Sequence, residues 1–89
     1  MLESAIQSKI VKYLTAGGYY NNKAIKMSRD GFPDLLTVKN GITYFFEVKQ
    51  PGGVVSPLQE ITIAKLNQDK QIAFVVYSFE EFKNIFEGL

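Results

Sequence analysis

Three residues of this chain have types and spacing suited to shared chemistry: Asp34, Glu47 and Lys49. They bracket two apolar, β-rich runs, Leu35 to Val38 and Ile42 to Lys49, with Asn40-Gly41 between them. Asn-Gly in that setting favours a two-residue turn with positive φ at both positions. Lys39 then pairs with Ile42, and counting outward sets Asp34 opposite Glu47. Facing carboxylates on neighbouring strands repel, and either a cation between them or a shared proton relieves the repulsion. A slip to a three-residue turn leaves the pair diagonal, still within reach of one ion. Lys49 follows Glu47 by two residues, so both side chains leave the same face. An ammonium beside a water held by a divalent ion can orient that water and help to remove its proton. Two oxygen ligands leave the remaining coordination to waters, carbonyls and a substrate phosphate, as is usual for magnesium. The composite suits metal-assisted hydrolysis of a phosphodiester. A purely structural alternative is a buried salt bridge from Lys49 to Glu47 or Asp34.

Composition narrows the chemistry. With no Cys and no His among 89 residues, disulfides, thiolate zinc sites, Cys nucleophiles and imidazole are all excluded. Any metal must be hard and held by oxygen. Apolar residues make up 46% of the chain and aromatics 13%, which suits a packed core and excludes disorder. The length allows one domain, residues 1–89. No run nears the roughly 20 apolar residues of a bilayer span, and the start is no charged-then-greasy leader, so an intracellular, membrane-free protein is expected. Residues 1–50 carry seven basic against four acidic side chains, a net +3, and residues 51–89 carry three against five, a net −2. Three of those four acids, Glu3, Asp34 and Glu47, are candidate ligands. An ion there makes the first half distinctly basic, which suits a phosphate backbone.

The elements that must position these groups follow from periodicity and punctuation. Glu3 to about Ala16 predicts a helix stopped by Gly17-Gly18, with Ile10, Leu14, Ile6 and Tyr13 inward and the same row continuing through Gln7 to Glu3. Glu3 is also explained by favourable charge near a helix N-terminus. Tyr19-Tyr20 and Ala24 to Met27 suggest a first strand or bent strand pair. Ile42 to Val48 is apolar on both faces over its middle, as a covered central strand is. Gln50-Pro51-Gly52-Gly53 reads as a flexible loop. Ser56-Pro57-Leu58-Gln59 announces a helix to about Gln68, with Ser56 as N-cap and Gln59 completing a capping box. Gln71 to Tyr77 is β-rich, and Ser78-Phe79-Glu80-Glu81 opens a last helix through Phe82 and Phe86 with a second capping box. The order α-β-β-β-α-β-α implies an α/β fold, a mixed sheet with helices on both faces.

Gly31-Phe32-Pro33-Asp34, followed by Glu47-Val48-Lys49, resembles the PD-(D/E)XK nuclease signature. The nearer resemblance is to the VRR-NUC family, the virus-type replication-repair nucleases. It rests on the early helix Glu3, the Gly-x-Pro-Asp turn, the Glu-x-Lys strand, the Pro/Gly loop and the Ser-x-x-Gln helix start, in that order along nearly the whole chain. The resemblance implies a restriction-endonuclease-like α-β-β-β-α-β core and a nuclease dependent on Mg2+ or Mn2+. It makes Asp34, Glu47 and the Val48 carbonyl metal ligands and Lys49 the water-orienting residue. Glu3 becomes an outer contributor and Gln59 a polar group at the edge of the site. Gln59 shares its face with Ile63 and Leu66, so its inward role competes with the capping box for one side chain. The virus-type members also admit a phage-encoded origin.

Further residues fit DNA as the partner. Arg29, the lone Arg, and Lys26 are candidate phosphate contacts, and Gly52 and Gly53 border the site where a backbone could approach. Tyr19, Tyr20, Tyr44 and Tyr77 could stack on bases but are expected mostly to pack in the core or at the sheet edge. The chain offers a small surface for gripping a duplex, and stand-alone relatives resemble junction resolvases. The expectation is a homodimer acting on branched DNA such as a four-way (Holliday) junction. Aromatic residues Tyr19, Tyr20, Phe79, Phe82 and Phe86 exceed what so small a core needs, which is the modest sequence hint for that dimer. The alternative function is a catalytically degenerate module of the same fold that binds nucleic acid or assembles subunits.

Overall fold

The sheet is built around the expected hairpin. In the computed structural model, which describes residues 2–23 and 31–89, β2 (Leu35–Lys39) and β3 (Ile42–Val48) pair antiparallel with Lys39 opposite Ile42 and Leu35 opposite Phe46. Asn40 and Gly41 take φ of 53° and 78°, the positive pair that a two-residue turn of matching twist requires. On the outer side of β2 lies β1 (Asn21–Lys23), antiparallel, and on the far side of β3 lies β4 (Ala73–Val76), parallel. The order β1-β2-β3-β4 is therefore a mixed sheet.

Alternation divides β3 between two environments. Tyr44, Phe46 and Val48 point to one face and form the core with Leu35 and Val76. The helices α1 (Glu3–Ala16) and α3 (Phe79–Glu87) cover that face through Ile6, Ile10, Leu14, Phe82 and Phe86. Phe46 meets Phe82 edge-on at 4.8 Å, and Tyr19 meets Phe86 at 4.8 Å. The opposite face carries Phe45 and Glu47 and is approached by α2 (Pro57–Leu66), whose Gln59 bonds to Glu47. Phe32 lies edge-on to Phe45 at 5.4 Å. The buried stripes of α1 and α3 thus hold the sheet from one side, while α2, with no fully buried residue, serves the polar side.

Several boundaries differ from the sequence reading for identifiable reasons. The described first strand is Asn21–Lys23, not Tyr19-Tyr20. The Tyr20 carbonyl still accepts from Val38 N–H and from Thr37 Oγ1, so polar Asn residues form the strand because β2 offers an edge. The stretch Ala24 to Met27 lies outside the described residues. Helix α2 stops at Leu66 because Asn67 caps it and turns its side chain to the next strand. Asn67 Oδ1 accepts from Ile72 and Ala73 N–H at 2.8 and 2.7 Å, and Nδ2 donates to the Ala73 carbonyl. That amide occupies the outer edge of β4 and shortens it to four residues. At α3 the Ser78 hydroxyl accepts from Glu81 N–H, but Glu81 reaches back to Tyr77 N–H, one residue earlier than a capping box requires.

Candidate active site

Asp34 lies one residue before β2, so the hairpin register sets it beside Glu47 just beyond the last paired position. Its Oδ2 accepts from Val48 N–H at 3.0 Å. Glu47 is 1% exposed because it projects from the middle of the sheet beneath α2. Its Oε2 accepts from Gln59 Nε2 at 2.9 Å and lies 3.4 Å from Lys49 Nζ. Oε1, also buried, has no partner. All the donors gather on one carboxylate oxygen.

That imbalance has an electrostatic consequence. Burial first, and the Asp34 charge next, raise the Glu47 pKa from 4.5 to about 7, while Lys49 opposes them and falls short. Desolvation disfavours a lone carboxylate and a like charge adds to the cost. The pair is therefore short of positive charge, which a proton shared with Asp34 or a cation would supply. A hard cation fits that deficit, since it would give Oε1 a partner and relieve the repulsion from Asp34.

Gln59 does not choose between its two expected roles. Its Oε1 accepts from Ser56 N–H at 2.9 Å, its own N–H donates to Ser56 Oγ at 3.1 Å, and its Nε2 remains free to donate to Glu47. The capping box aims the amide instead of consuming it. Ser56 is thus part of the support of the site, as is Gly31, and both were legible only as pieces of local motifs. Gly31 takes φ of +83°, and a Cβ there would stand 2.9 Å from the Leu58 backbone. The turn that delivers Asp34 therefore lies directly against the first turn of α2, which delivers Gln59.

The remaining candidates are placed less closely. Glu3 opens α1, and Ile6 and Lys9 of that helix line a cavity of about 140 Å³ with Pro51 and Tyr77, so this end of α1 is at the Lys49 end of the sheet. No hydrogen bond or ion pair joins Glu3 to Asp34, Glu47 or Lys49. Among the described residues no group of three or more carboxylates gathers to hold an ion. Lys26 and Arg29 lie outside the described residues. Gly52 and Gly53 follow Lys49 in a tight turn closed by Gly53 N–H on the Gln50 carbonyl. Of the five aromatics taken as surplus to the core, Phe82 and Phe86 are buried, Phe79 packs on Tyr13, and Tyr19 packs on Phe86. Only Tyr20, 61% exposed, stands clear. Tyr44 is a core residue.

A mixed sheet with α1 and α3 on one face, α2 on the other, and Asp, Glu and Lys at the open end of its central hairpin defines the restriction-endonuclease-like class. Within that class the chain belongs to the VRR-NUC domain family, which it matches over residues 2–80. A solved structure described as a VRR_NUC domain is similar to it with a TM-score of 0.83 and 28% identity, covering 96% of this chain and 94% of that one. No match is found among curated proteins. The fold is thus nuclease-type, in a family that is generally dependent on divalent metal. Among the described residues no helix is long and apolar enough to cross a membrane.

Proposed function

We propose that the chain is a divalent-metal-dependent endonuclease that hydrolyses DNA phosphodiester bonds. The observation that carries this reading is the buried Glu47 carboxylate, with one oxygen unpartnered and Asp34 beside it. A structural salt bridge alone would leave that oxygen and that repulsion uncompensated. Asp34, Glu47 and the Val48 carbonyl would hold Mg2+ or Mn2+. When bound, the ion supplies charge neutralisation at the phosphodiester and acidity to water.

The protein groups divide the remaining work. Lys49 presents an ammonium on the same strand face as Glu47, placed to orient the attacking water and to stabilise the negative charge left as its proton departs. Gln59 holds Glu47 in one rotamer, so that Oε1 keeps its direction. Glu3 and the basic residues Lys26 and Arg29 complete the reading as an outer acidic group and phosphate contacts, and Gly52 and Gly53 as a turn where a DNA backbone could approach.

We also propose that the active form is a homodimer selective for four-way or other branched duplexes. The five aromatics no longer support this, since four of them pack internally. Its support is the small size of the chain, together with exposed apolar side chains in and just before α2, namely Val54, Leu58 and Ile61.

Cleavage of plasmid, single-strand, flap and four-way-junction DNA with Mg2+, Mn2+ or EDTA tests the whole reading. Metal-dependent cutting that favours the junction and is lost in Glu47→Gln is expected, with light scattering giving twice the chain mass. Binding without cutting would favour a degenerate module. A monomeric mass with unbiased cutting of linear DNA would remove the dimer and the substrate preference.

A further inference from the structure

Directly after Lys49 the chain closes a tight turn. Pro51 fixes φ at its second position, Gly52 takes φ of +84° at its third, and Gly53 N–H donates to the Gln50 carbonyl at 2.8 Å. Those features define a type II turn, with proline and glycine where each is favoured. The turn folds back over the residue in front of it. A Cβ on Gly53 would stand 3.0 Å from the Gln50 carbonyl oxygen and 3.3 Å from Lys49 Cβ, closer than the roughly 3.5–4.0 Å at which carbon atoms rest. Gly53, unlike Gly52, has no positive φ. Space, not torsion, favours a glycine at 53.

The group under this turn is the one whose placement matters most. Lys49 N–H is fixed by the Val76 carbonyl at 2.9 Å, and Nζ lies by Glu47 Oε2. Between those ends runs a flexible four-carbon stem that costs entropy to hold. A Cβ at 53 would meet the first carbon of that stem at 3.3 Å, so the type II turn passes within a methyl group's reach of it.

We propose that Gly53 is a positioning residue for Lys49, its missing side chain letting the turn lie on the lysine stem and hold the ammonium beside Glu47. The inference rests on Lys49 having the water-orienting role given above. An alanine at 53 must push Lys49 Cβ or the Gln50 carbonyl away by a few tenths of an ångström, and the stem carries such a shift outward to Nζ. Since a misplacement near 1 Å can cost about 10²-fold in rate, a smaller one is expected to cost about tenfold.

A double-mutant cycle on metal-dependent DNA cleavage tests this. Gly53→Ala should lower kcat about tenfold and leave KM for DNA within about twofold, because the loss acts on the chemical step. Lys49→Ala keeps Cβ and so keeps the steric contact, but has no ammonium to misplace. In that background Gly53→Ala should change the rate less than about twofold. Independent losses that multiply, or a loss carried by KM, would overturn the proposal, because the turn would then be gripping DNA or supporting the fold. A second readout needs no activity: the Lys49 side-chain methylene NMR signals should be dispersed in wild type and collapse together in Gly53→Ala. Unchanged signals would also overturn it. A wild-type protein that cuts no DNA would refute the nuclease reading, while the NMR comparison would still decide the positioning. If Gly53→Ala does not fold, Pro51→Ala carries the same cycle, since it relaxes the turn without adding an atom at 53.

Discussion

Replacing Glu47 by Gln should stabilise the metal-free protein, which is unusual for a buried polar residue that accepts a hydrogen bond. Gln imitates the neutral form of the carboxyl, so the size of the gain follows from the displaced pKa. The unfolded chain releases the Glu47 proton near 4.5 and the folded chain near 7. Between those values the folded state binds more protons than the unfolded one, so stability falls as pH rises through that window. Below about 4.5 the carboxyl is neutral in both states and costs nothing; above about 7 the full penalty is present. A displacement of that size amounts to about 3 kcal/mol. For a chain of this length it corresponds to a Tm difference of roughly 10–20 °C at pH 8.

Calorimetry or circular-dichroism melts in EDTA, at intervals from pH 4 to 8.5, measure this directly. Wild type and Glu47→Gln should melt together near pH 4 and diverge upward in pH, with the variant more stable at pH 8. Mg2+ should then reverse the order once it reaches about a thousand times its Kd, where an ion that binds only the folded, ionised wild type adds about 4.1 kcal/mol. A Gln variant less stable than wild type at pH 8 in EDTA would mean that Lys49 and Gln59 already compensate the carboxylate. The argument for a missing cation would then fail.

Lys49→Ala should keep Mn2+ binding by calorimetry while losing about 10²-fold in kcat, the scale of a removed acid–base group; a loss confined to Tm would make the lysine a structural ion pair. Gly31→Ala should lower stability by at least about 1–2 kcal/mol from its positive φ alone. Its collision with the Leu58 backbone should also separate Asp34 from Gln59 and lower activity beyond what the melting curve explains. Asn67→Ala leaves Ile72 N–H and both polar backbone groups of Ala73 without partners, so a loss of about 2–3 kcal/mol is expected, with faster hydrogen exchange at Ala73 as the local sign.

How far the sequence carried depends on the range of the interaction involved. The hairpin was legible because Asn40-Gly41 fixes register within two residues, and that register alone sets Asp34 by Glu47. The helix starts at Ser56 and Ser78 were legible for the same reason, since a cap is satisfied within three residues. The first strand was not, because Asn21–Lys23 has no strand propensity and pairs only where β2 leaves an edge. The ends of α2 and β4 were missed because one Asn67 side chain, reaching six residues along the chain to Ala73, sets both.

The same distinction separates the residues expected to touch metal or water from those that hold them. Asp34, Glu47 and Lys49 stand out in sequence, since their types and spacing suit either a metal site or a buried salt bridge. Gly31, Ser56 and Gly53 are ordinary turn and cap residues in sequence, and only three dimensions show what lies against them. Gly31 meets the helix that carries Gln59, Ser56 aims that Gln59, and Gly53 meets the stem of Lys49. Two of these small residues thus back Gln59 and the third stands by Lys49, in places that a motif would assign to the backbone alone. A carboxylate 1% exposed and short of one partner can be held in a domain this small because its neighbours are fixed by turns and caps. Substitutions at those supports should therefore lower the rate beyond what any loss of stability explains, whereas substitution at Glu47 should do the reverse of what burial normally predicts.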